Sequence, residues 1–564
     1  MTHALTRAAG FALAALCFLA VSCPAQDRQA FPPLYRSAGL FEQALDSAVE
    51  QAPESAVPIT GLTLPHHLLA ADLAALGLAR ARGQDVRRVV ILGPDHYRRG
   101  QTPVSVSRND FRTCCGDLAA DTDLSAALLA SNLVSESTLF SQEHAVQALL
   151  PLVALLFPQA RVTALALSVN MDQSSLDELA EALKQGLAPD GVRPEHVLVI
   201  QSTDFSHYLL PAEAAARDRQ SLQVLALGDP AEALRLDQPR NIDSRGALYV
   251  QMRLQQELFG ASCSVLMSRN SQHYAQEPVV ESTSYVAAEW AASGGDGWAP
   301  AEVETWVFGG DFFCGRHLAA RAADPDGRRA LARELLGATR GAPMVLNLEG
   351  PLAAACPEPS GPAAPWFLCM DAAPALDLLG LLNVRAAGVA NNHARDLGDE
   401  GSAQTLEFLD QAGIAALAPG RGMDMGPFRL VAFTDLDNNP EPARNLLGDA
   451  DWQALDAVDS LDGGKPLVAM VHWGQEYRPG MDARQEFLAR KLMEHGVDLV
   501  VGAHSHCAGG LSCSEAGCVM ASLGNFLFDQ AGERVSGKLL RVRFFPQGTF
   551  ALQVLVLKNV YAGP

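Results

Sequence analysis

The second half of the chain repeats one local pattern, in which a short apolar run ends at a polar residue. The runs are typical of buried strands. Helical stretches at 400–412 and 483–495 separate some of them, and a glycine follows each stretch, as at the end of a helix. This alternation predicts an α/β fold. Five runs show the pattern: WVFGGD, MVLNLE, RAAGVANNH, LVAMVHWG and DLVVGAHSH.

In an open α/β sheet, ligands bind outside the carboxyl ends of the strands. The polar residues that end these runs are therefore expected to meet at one sheet edge, although they extend from position 311 to position 506. Their oxygen and nitrogen donors suit a divalent ion such as Mn, Zn or Fe, and a set of this size could hold two ions that activate water for attack on a phosphoryl group. The set is Asp311, Glu349, Asn392, His393, His472, His504 and His506.

Six sequence blocks of this half resemble, in the same order, those of a known protein family: FGGDFFCGR, NLEGPL, GVANNHARDLGDEG, VHWGQEY, DLVVGAHSH and SLGNFLFD. Over 304–530 they resemble the CapA/PgsA family of capsule and poly-gamma-glutamate synthesis proteins, whose fold is similar to that of calcineurin-like metallophosphatases. The resemblance implies an α/β sandwich in which Glu349 bridges two metal ions. It also implies that His393 is catalytic and protonates the leaving oxygen or steadies the transition state. The implied metal ligands are Asp311, Glu349, Asn392, His472, His504 and His506.

One position departs from the metallophosphatase pattern. A histidine ligand usually stands two residues after the first aspartate, where this chain has Phe313, and His317 lies too far along to replace it. The loss weakens the prediction that two ions bind. The SLGNFLFD block is interpreted as a packed strand and turn, so Asn525 and Asp529 receive no chemical role.

The first half shows a second set of polar residues that follow or flank short apolar runs. The blocks LPHH, GPDH, SQEHAVQ and STDFSHY resemble the Memo-like family, also called AmmeMemoRadiSam system protein B, over about 58–270. The fold of that family is similar to the fold of class III extradiol dioxygenases. The resemblance implies a second α/β domain with His66 and His96 as metal ligands. The same pocket would be lined by Glu143, His144, Asp204 and His207.

The pocket cysteine of the Memo-like family is missing from this chain. It would fall in the stretch NIDSRGAL, where the sequence has Asp243 or Ser244 instead. An aspartate suits a hard divalent ion, so Asp243 is the predicted third ligand, and thiolate chemistry is disfavoured. Two interpretations stay open: a single-metal site with a free position, and a degenerate domain kept for binding or as a scaffold.

The domain boundaries follow from a segment rich in glycine, alanine and proline between the two halves. At 564 residues the chain exceeds the size of one hydrophobic core. We predict a Memo-like domain at 58–290, a linker at 291–303 and a metallophosphatase-like domain at 304–564.

The first residues predict export to the cell envelope. Arg7 precedes an apolar stretch at 8–21, which is short for a membrane span and typical of a signal peptide at 1–26. The stretch LAVSC resembles a lipobox, which implies lipidation of Cys23, and cleavage near Gln26 is the alternative. A lipid anchor would be the only contact with the membrane.

Charge and the metal-ligand pattern together frame the functional prediction. Because 64 acidic residues outnumber 42 basic ones, giving a net charge of −22, nucleic acid is disfavoured as a partner. We predict a metal-dependent hydrolase of surface-polymer, capsule or envelope metabolism that acts on a surface polymer or a phosphorylated small molecule. The alternative is a non-catalytic assembly or binding factor for the export of poly-gamma-glutamate or capsule. Two cysteine pairs, 356 with 369 and 513 with 518, could close small loops as disulfides.

Overall fold

The computed structural model describes residues 29–188, 191–292, 294–358, 367–436, 447, 449–459, 464–530 and 536–557. The predicted signal peptide and the predicted lipidation site, Cys23, lie outside the described residues. Both halves are α/β, as the sequence predicted.

The described part of the first half forms one large sheet with helices on its faces. Its strands are β1 (Ala30–Phe31), β2 (Ile59–Leu64), β3 (Arg88–Pro94), β4 (Val104–Val106), β5 (Asp110–Thr113), β6 (Gly116–Ala120), β7 (Val134–Glu136), β8 (Arg161–Leu167), β9 (Val197–Ser202), β10 (Ala261–Asn270) and β11 (Ser284–Ala292). Its helices are α1 (Gly39–Gln51), α2 (Ala71–Arg80), α3 (Thr122–Leu128), α4 (His144–Gln147), α5 (Leu150–Leu156), α6 (Gln173–Leu187), α7 (Pro211–Leu227), α8 (Pro230–Ala233) and α9 (Arg245–Phe259).

The strand order is β1-β5-β6-β8-β3-β9-β2-β11-β10, with β4 paired to β8 and to β7. The central strands β8, β3, β9 and β2 are parallel, which explains their nearly continuous apolar sequences. Both faces of the sheet are buried, since Val89 and Ile91 join one hydrophobic core and Val90 and Leu92 join another.

The described part of the second half forms two large sheets and a two-stranded sheet. The strands are β12 (Glu304–Phe312), β13 (Met344–Leu348), β14 (Leu352–Ala353), β15 (Met370–Asp371), β16 (Val384–Gly388), β17 (Ala415–Leu417), β18 (Met423–Asp424), β19 (Arg429–Thr434), β20 (Leu467–His472), β21 (Leu499–Ala503), β22 (Leu511–Ser514), β23 (Gly517–Met520), β24 (Asn525–Leu527), β25 (Gly537–Phe544) and β26 (Phe550–Leu557). The helices are α10 (Ala319–Ala323), α11 (Pro325–Thr339), α12 (Ala372–Leu381), α13 (Gly398–Gln411), α14 (Asp449–Asp459) and α15 (Ala483–Glu494).

The two large sheets pack face to face as the predicted α/β sandwich, and β14 pairs with β15 in the two-stranded sheet. One has the order β17-β16-β13-β12-β25-β26, with β24 also on β12, and the other has the order β18-β19-β20-β21-β23-β22. Phe308 and Val345 of the first sheet share a buried core with Val468 and Val501 of the second. Strands β12, β13, β16 and β17 are parallel to one another, as are β19, β20 and β21. The carboxyl ends of both sets therefore form the edge where ligands are expected.

The two halves are in direct contact. The fully buried guanidinium of Arg543 on β25 donates to the Val265 carbonyl at 2.6 Å and to the Trp298 carbonyl at 2.9 Å. Gln223 of α7 donates to the Phe550 carbonyl at 2.9 Å. Strand β11 runs to Ala292, inside the segment proposed as a linker, and the predicted domain boundaries stay a prediction.

Two further features concern the whole chain. Disulfides join Cys356 to Cys369 and Cys513 to Cys518, the two pairs that the sequence suggested. Within the residues described above, no helix has both the length and the apolar character needed to cross a membrane.

Candidate metal centres

The C-terminal site lies at the carboxyl ends of four strands from the two facing sheets. Asp311 is the next-to-last residue of β12, and Glu349 directly follows β13. His472 is the last residue of β20, and His504 and His506 follow β21. All five side chains are buried. Residues that are far apart in the chain therefore meet at one edge of the sheets.

The backbone around this site is unusually tight. His504 and His506 have φ values of 91° and 53°, so the two imidazoles come from a turn in left-handed conformation and not from a continuing strand. Gly310 lets β24 approach β12, because a Cβ there would lie 1.8 Å from the Gly524 carbonyl oxygen. The Asp311 amide donates to that same carbonyl at 2.9 Å.

The predicted ligands form two groups that share one carboxylate. The ligand atoms within each group lie within 4.8 Å of one another, and the groups are Glu349 with His472 and His504, and Asp311 with Glu349 and His506. Asn392 belongs beside the first group, because its Oδ1 is 2.6 Å from His472 Nε2. The shared position of Glu349 is the one that the predicted bridging role requires.

The donor set fits a divalent ion. Asp311 and Glu349 are buried, and neither has an ion pair with a lysine or arginine among the described residues. In the same part of the chain, Glu349 Oε2 has no hydrogen-bond partner. Burial raises the pKa of Asp311 to about 7, and burial together with Asp311 raises the pKa of Glu349 well above its usual value. Two buried carboxyl groups without an ion pair to a lysine or arginine are costly to ionise, and a bound cation removes that cost.

The histidines of the C-terminal site are in the form that binds metals. Burial lowers the pKa of His504 to about 3 and that of His506 to about 4, and burial also lowers the pKa of His472 well below its usual range. Neutral imidazoles have a free ring nitrogen to donate to an ion. Asn525 Oδ1 lies 2.8 Å from His506 Nδ1, so it fixes the ring as an outer-shell partner. This role of Asn525 was not predicted, because the SLGNFLFD block was interpreted as a packed strand and turn.

His393 and Asp396 form a hydrogen-bonded pair at the same edge. His393 Nδ1 is 2.8 Å from Asp396 Oδ2, and that oxygen also accepts from the Leu368 amide at 2.8 Å. The His393 side chain is 13% exposed, which makes it the most exposed of the four histidines predicted for this centre. The pairing orients Nε2 for exchange of a proton with a ligand.

In place of the expected histidine the chain has Phe313, which packs against another aromatic ring and an arginine. The buried Phe313 ring lies 5.2 Å from the Phe528 ring, and the Arg316 guanidinium lies 5.1 Å from the centre of Phe313. Arg316 has a φ of 45°, and its Nε donates to Asp529 Oδ2 at 2.9 Å while Nη2 donates to Oδ1. Burial and the charge of Asp311 raise the pKa of Glu349 more than the positive charge of Arg316 lowers it. The sequence assigned no role to Arg316 or Asp529.

The N-terminal pocket occupies the equivalent edge of the first sheet. His66 follows β2, His96 follows β3, and Asp204 and His207 follow β9. They line a cavity of about 710 Å³. His144, the first residue of α4, also lines this cavity.

Three histidines and one aspartate come together in this pocket. His66, His96 and His144 have ring nitrogens within 4.8 Å of one another. Asp243 Oδ2 lies 3.2 Å from His66 Nε2 and 3.7 Å from His96 Nε2. His144, which the sequence placed only as a lining residue, thus joins the candidate ligands. His207 lines the same cavity but is not one of these three ring-nitrogen donors, and its buried Nδ1 has no hydrogen-bond partner among the described residues.

The structure also separates the two candidates for the position of the family cysteine. The Asp243 carboxylate faces the histidines, whereas Ser244 Oγ accepts from the Ala247 amide at 3.3 Å and caps α9. Asp204 contacts His66 twice, because its Oδ1 accepts from the His66 amide at 3.1 Å and its Oδ2 lies 3.6 Å from His66 Nε2. The buried Glu143 lies behind His96, with Oε1 2.7 Å from His96 Nδ1.

The N-terminal cluster neutralises its own charge. Burial opposes protonation of His96, but hydrogen bonds to Asp243 and Glu143 outweigh it and raise the pKa of His96 to about 10. Burial likewise opposes protonation of His66, and the carboxylates of Asp204 and Asp243 outweigh it, so the pKa of His66 is raised. Burial would raise the pKa of Asp243, but the nearby histidines lower it. Burial and the neighbouring histidines lower the pKa of His144 to about 4.

Comparison with protein families separates the two halves in the same way. Residues 37–288 match the family described as Memo-like protein. Residues 305–423 and 434–530 match the family described as bacterial capsule synthesis protein PGA_cap.

Similar proteins are found for each half. The capsule biosynthesis protein CapA of Bacillus anthracis is 28% identical over 31% of this chain and 47% of its own length. The PGA biosynthesis protein CapA of Bacillus subtilis is 26% identical over 28% of this chain and 46% of its own length. A MEMO1 family protein of Methanococcoides burtonii is 25% identical over 33% of this chain and 70% of its own length. The chain thus spans about half the length of the two CapA proteins. A phosphatase structure from Mycoplasma pneumoniae superposes with a TM-score of 0.30 at 10% identity, covering 46% of this chain and 95% of that one.

Proposed function

Because the chain joins a Memo-like domain to a PGA_cap domain, we propose that it is an exported envelope protein whose C-terminal domain is a metal-dependent phosphoester hydrolase. We propose that it acts in surface-polymer or capsule metabolism, on a surface polymer or a phosphorylated small molecule. The names of the two CapA relatives support this assignment.

One observation carries the proposal. Two groups of buried ligand atoms share Glu349 at the carboxyl edge of the sandwich, and Glu349 Oε2 has no hydrogen-bond partner in the described part of the chain. A purely structural cluster would satisfy a buried carboxylate with donors from the protein. An unsatisfied acceptor beside neutral histidines is expected where an ion completes the site.

The two ligand groups would hold two ions at this centre. Glu349, Asn392, His472 and His504 would hold one, and Asp311, Glu349 and His506 the other. Divalent ions in these positions supply Lewis-acid chemistry, which lowers the pKa of water and withdraws charge from a phosphoryl oxygen.

The residues around the centre have separate tasks. Asp529 holds two nitrogens of Arg316, and Nη1 has no hydrogen bond in the described part of the chain, so it can donate to an anionic oxygen of the substrate. His393, oriented by Asp396, donates a proton from Nε2 to the leaving oxygen.

Metal analysis of the full chain tests the ligand assignment. We expect the wild type to bind about two equivalents of Mn at the C-terminal centre, by the two-ion argument, and the His504→Ala/His506→Ala double variant to lose them. The matched control is His495→Ala, because His495 pairs with Asp456 on the surface of the same domain. Retention of all metal in the double variant would contradict the assignment.

Hydrolysis of bis-p-nitrophenyl phosphate with added Mn tests the activity. We expect turnover in the wild type and its loss in the His393→Ala variant, which should still bind metal. Metal binding without turnover on this ester or on p-nitrophenyl phosphate would count against the hydrolase.

The second candidate is a non-catalytic assembly or binding factor. Phe313 favours it, because it leaves the Asp311 group with three protein ligands instead of four. A factor of this kind would bind metal or polymer without turnover, and the His393→Ala substitution would change nothing.

For the N-terminal pocket we propose a single divalent ion held by His66, His96, His144 and Asp243. Four ligands of this type leave a position open for a small molecule. Metal analysis of a chain that carries the His504→Ala/His506→Ala substitutions isolates this pocket, because the C-terminal centre is then removed. A result of no metal in that variant would favour the scaffold interpretation of the domain.

A further inference from the structure

The C-terminal centre takes up only part of the carboxyl edge of the sandwich. It lies over β12 and β13 of one sheet and over β20 and β21 of the other. The neighbouring strands β16, β17 and β19 end over a separate cavity of about 370 Å³. Helix α13 forms the outer wall of this cavity through Ser402, Thr405 and Leu406. A substrate at the centre therefore has a space beside it along the same edge.

The walls of this cavity are mainly apolar. Their apolar side chains come from all the strand ends and from α13: Leu348, Pro351, Val389, Leu406, Pro419 and Leu436. Leu406 is 39% exposed, so part of this wall is accessible to solvent.

The polar groups of the walls are mostly used within the protein. Asn391 Nδ2 donates to the Leu348 carbonyl at 2.8 Å, and Thr405 Oγ1 accepts from the Leu352 amide at 2.9 Å. Ser402 Oγ donates to the Ala394 carbonyl at 2.5 Å. Arg395 is the one charged residue among the described lining residues, and its side chain is 60% exposed at the rim. The interior thus offers contact surface without a charge to bind.

The cavity and the centre share a wall. Asn392 lines the cavity while its Oδ1 lies 2.6 Å from His472 Nε2 at the centre. Leu348 and Gly350, the chain neighbours of Glu349, also line it. A group bonded to a phosphoryl oxygen at the centre would therefore have this cavity as its neighbour, beside Asn392.

From this arrangement we infer that the cavity is the subsite for an uncharged, largely apolar organic group of the phosphoester. The inference rests on the proposed function, since it takes the phosphoryl group to lie at the metal centre. A water molecule occupies about 30 Å³ of liquid, so the cavity has room for roughly ten heavy atoms. The substrate class is then a phosphoester of a short aliphatic or aryl group, and a charged polymer unit would be excluded from this space.

Calorimetric titration of the Mn-loaded full chain with n-hexyl phosphate and with methyl phosphate tests the subsite. The two probes share the phosphate and differ in the apolar group. We expect the wild type to bind n-hexyl phosphate at least ten times more tightly. Leu406→Ala removes apolar wall and should reduce that preference several-fold, and Ala418→Phe fills the cavity and should abolish it. Methyl phosphate should bind equally to all three proteins.

The control is Leu381→Ala, because Leu381 ends α12 in the same domain, is 43% exposed and does not line the cavity. It should keep the preference of the wild type. The Leu406→Ala result stands by itself if Ala418→Phe fails to fold, since Leu406 is partly exposed on a helix surface.

The outcomes separate this inference from the proposed function. Preference for n-hexyl phosphate without any ester hydrolysis would keep the subsite and reject the hydrolase. Hydrolysis with equal binding of the two probes, or an equal loss of both in the variants, would overturn the subsite alone. Binding of neither phosphate to the metal-loaded protein would overturn both.

Discussion

The two halves of the molecule place metal-binding residues at the same edge of an α/β sheet but balance their charge in opposite ways. In the C-terminal centre, the buried carboxylates of Asp311 and Glu349 face neutral histidines. In the N-terminal pocket, Asp243 lies between His66 and His96 and pairs with both. Strand-end position predicts that such residues meet, but it does not predict whether the cluster needs a cation.

The difference also appears in the hydrogen bonds of the two central carboxylates. Glu349 Oε2 has no partner in the described residues. Asp243 Oδ1 accepts from Thr203 Oγ1, and Asp243 Oδ2 accepts from the Asp204 amide at 3.2 Å. An ion entering the N-terminal pocket must displace protons from cationic histidines, whereas an ion entering the C-terminal centre meets neutral histidines and displaces protons only from carboxyl groups. We therefore expect tighter divalent-ion binding at the C-terminal centre.

The largest expected effect is that of Glu349→Gln. If this variant kept its metal, the contrast drawn between the C-terminal centre and the N-terminal pocket would be wrong. A neutral amide cannot replace a carboxylate shared by two ions, so both ions should be lost. Loss of the several kcal/mol that two metal ions contribute corresponds to on the order of 10³-fold slower ester hydrolysis.

Metal analysis and initial rates on the full chain measure this effect. Glu476→Gln is the matched control, because Glu476 is an exposed carboxylate that acts electrostatically on Glu349. It should keep the metal. Two equivalents of Mn in Glu349→Gln would show that Glu349 is not the shared ligand.

The next effect concerns Asp218, a buried carboxylate that belongs to neither metal site. Its pKa therefore reports the cost of burial without the influence of a nearby metal ion or histidine. Asp218 of α7 accepts from Ser206 Oγ at 2.6 Å and from Ser284 Oγ at 2.5 Å. Burial raises its pKa to about 6. The folded state therefore keeps this proton between about pH 4 and pH 6, where the unfolded chain releases it.

Asp218 thus makes stability fall as pH rises through that window, and its contribution is fully present below about pH 4. The rise of the Asp218 pKa from its ordinary value of about 4 to about 6 corresponds to about 3 kcal/mol, roughly a hundredfold in the folding equilibrium. Urea unfolding of the wild type and of Asp218→Asn at pH 4 to 7 measures it, and the variant should lose this part of the pH dependence. Parallel curves for the two proteins would show that the buried carboxylate is ionised at no cost.

The sequence predicted the parts of both sites that depend on strand ends. Asp311, Glu349, His472, His504 and His506 meet because each ends or follows a parallel strand, and parallel strands share one edge. The α/β class was predictable from the alternation of apolar runs and helical stretches, whereas the sandwich was predicted from the family resemblance. Helix α13 begins two residues before the predicted 400, and α15 ends one residue before the predicted 495.

Residues whose roles depend on packing between distant segments were not predictable. Asn525 reaches His506 because β24 pairs with β12, a contact that no local pattern indicates. Arg316 and Asp529 find each other across 213 positions. His144 joins the N-terminal ligands only because α4 begins beside β3. Strand order and the contact between the halves likewise depend on tertiary packing.

A smaller effect is expected in the N-terminal pocket, where substitutions of Asp243 and of its neighbour Ser244 should change metal affinity differently. Asp243→Ala removes the carboxylate that lies 3.2 Å from His66 Nε2, so metal affinity should fall by some tens of fold. Ser244→Ala removes only the cap of α9, which costs about 1 kcal/mol of stability and leaves affinity unchanged. Both are measured by titration with Mn in the His504→Ala/His506→Ala background. Equal, negligible effects would mean that the pocket binds no metal or uses other groups.

The smallest expected effect concerns how the C-terminal centre positions its proton donor. Asp396→Asn keeps the size of the side chain but weakens the contact with His393 Nδ1. Outer-shell partners of this kind are worth about tenfold, so kcat for bis-p-nitrophenyl phosphate should fall about tenfold while KM stays the same. Asp399→Asn is the control, since Asp399 is 86% exposed on the same segment.

A double-mutant cycle decides whether Asp396 acts through His393. If it does, Asp396→Asn should have no further effect in the His393→Ala background, because the partner that it orients is gone. Independent, additive losses would mean that Asp396 supports the fold of the 391–398 segment, through its contact with the Leu368 amide, and not the histidine. In that case the C-terminal centre would resemble the N-terminal pocket, where carboxylates such as Asp204 support the backbone as well as the histidines.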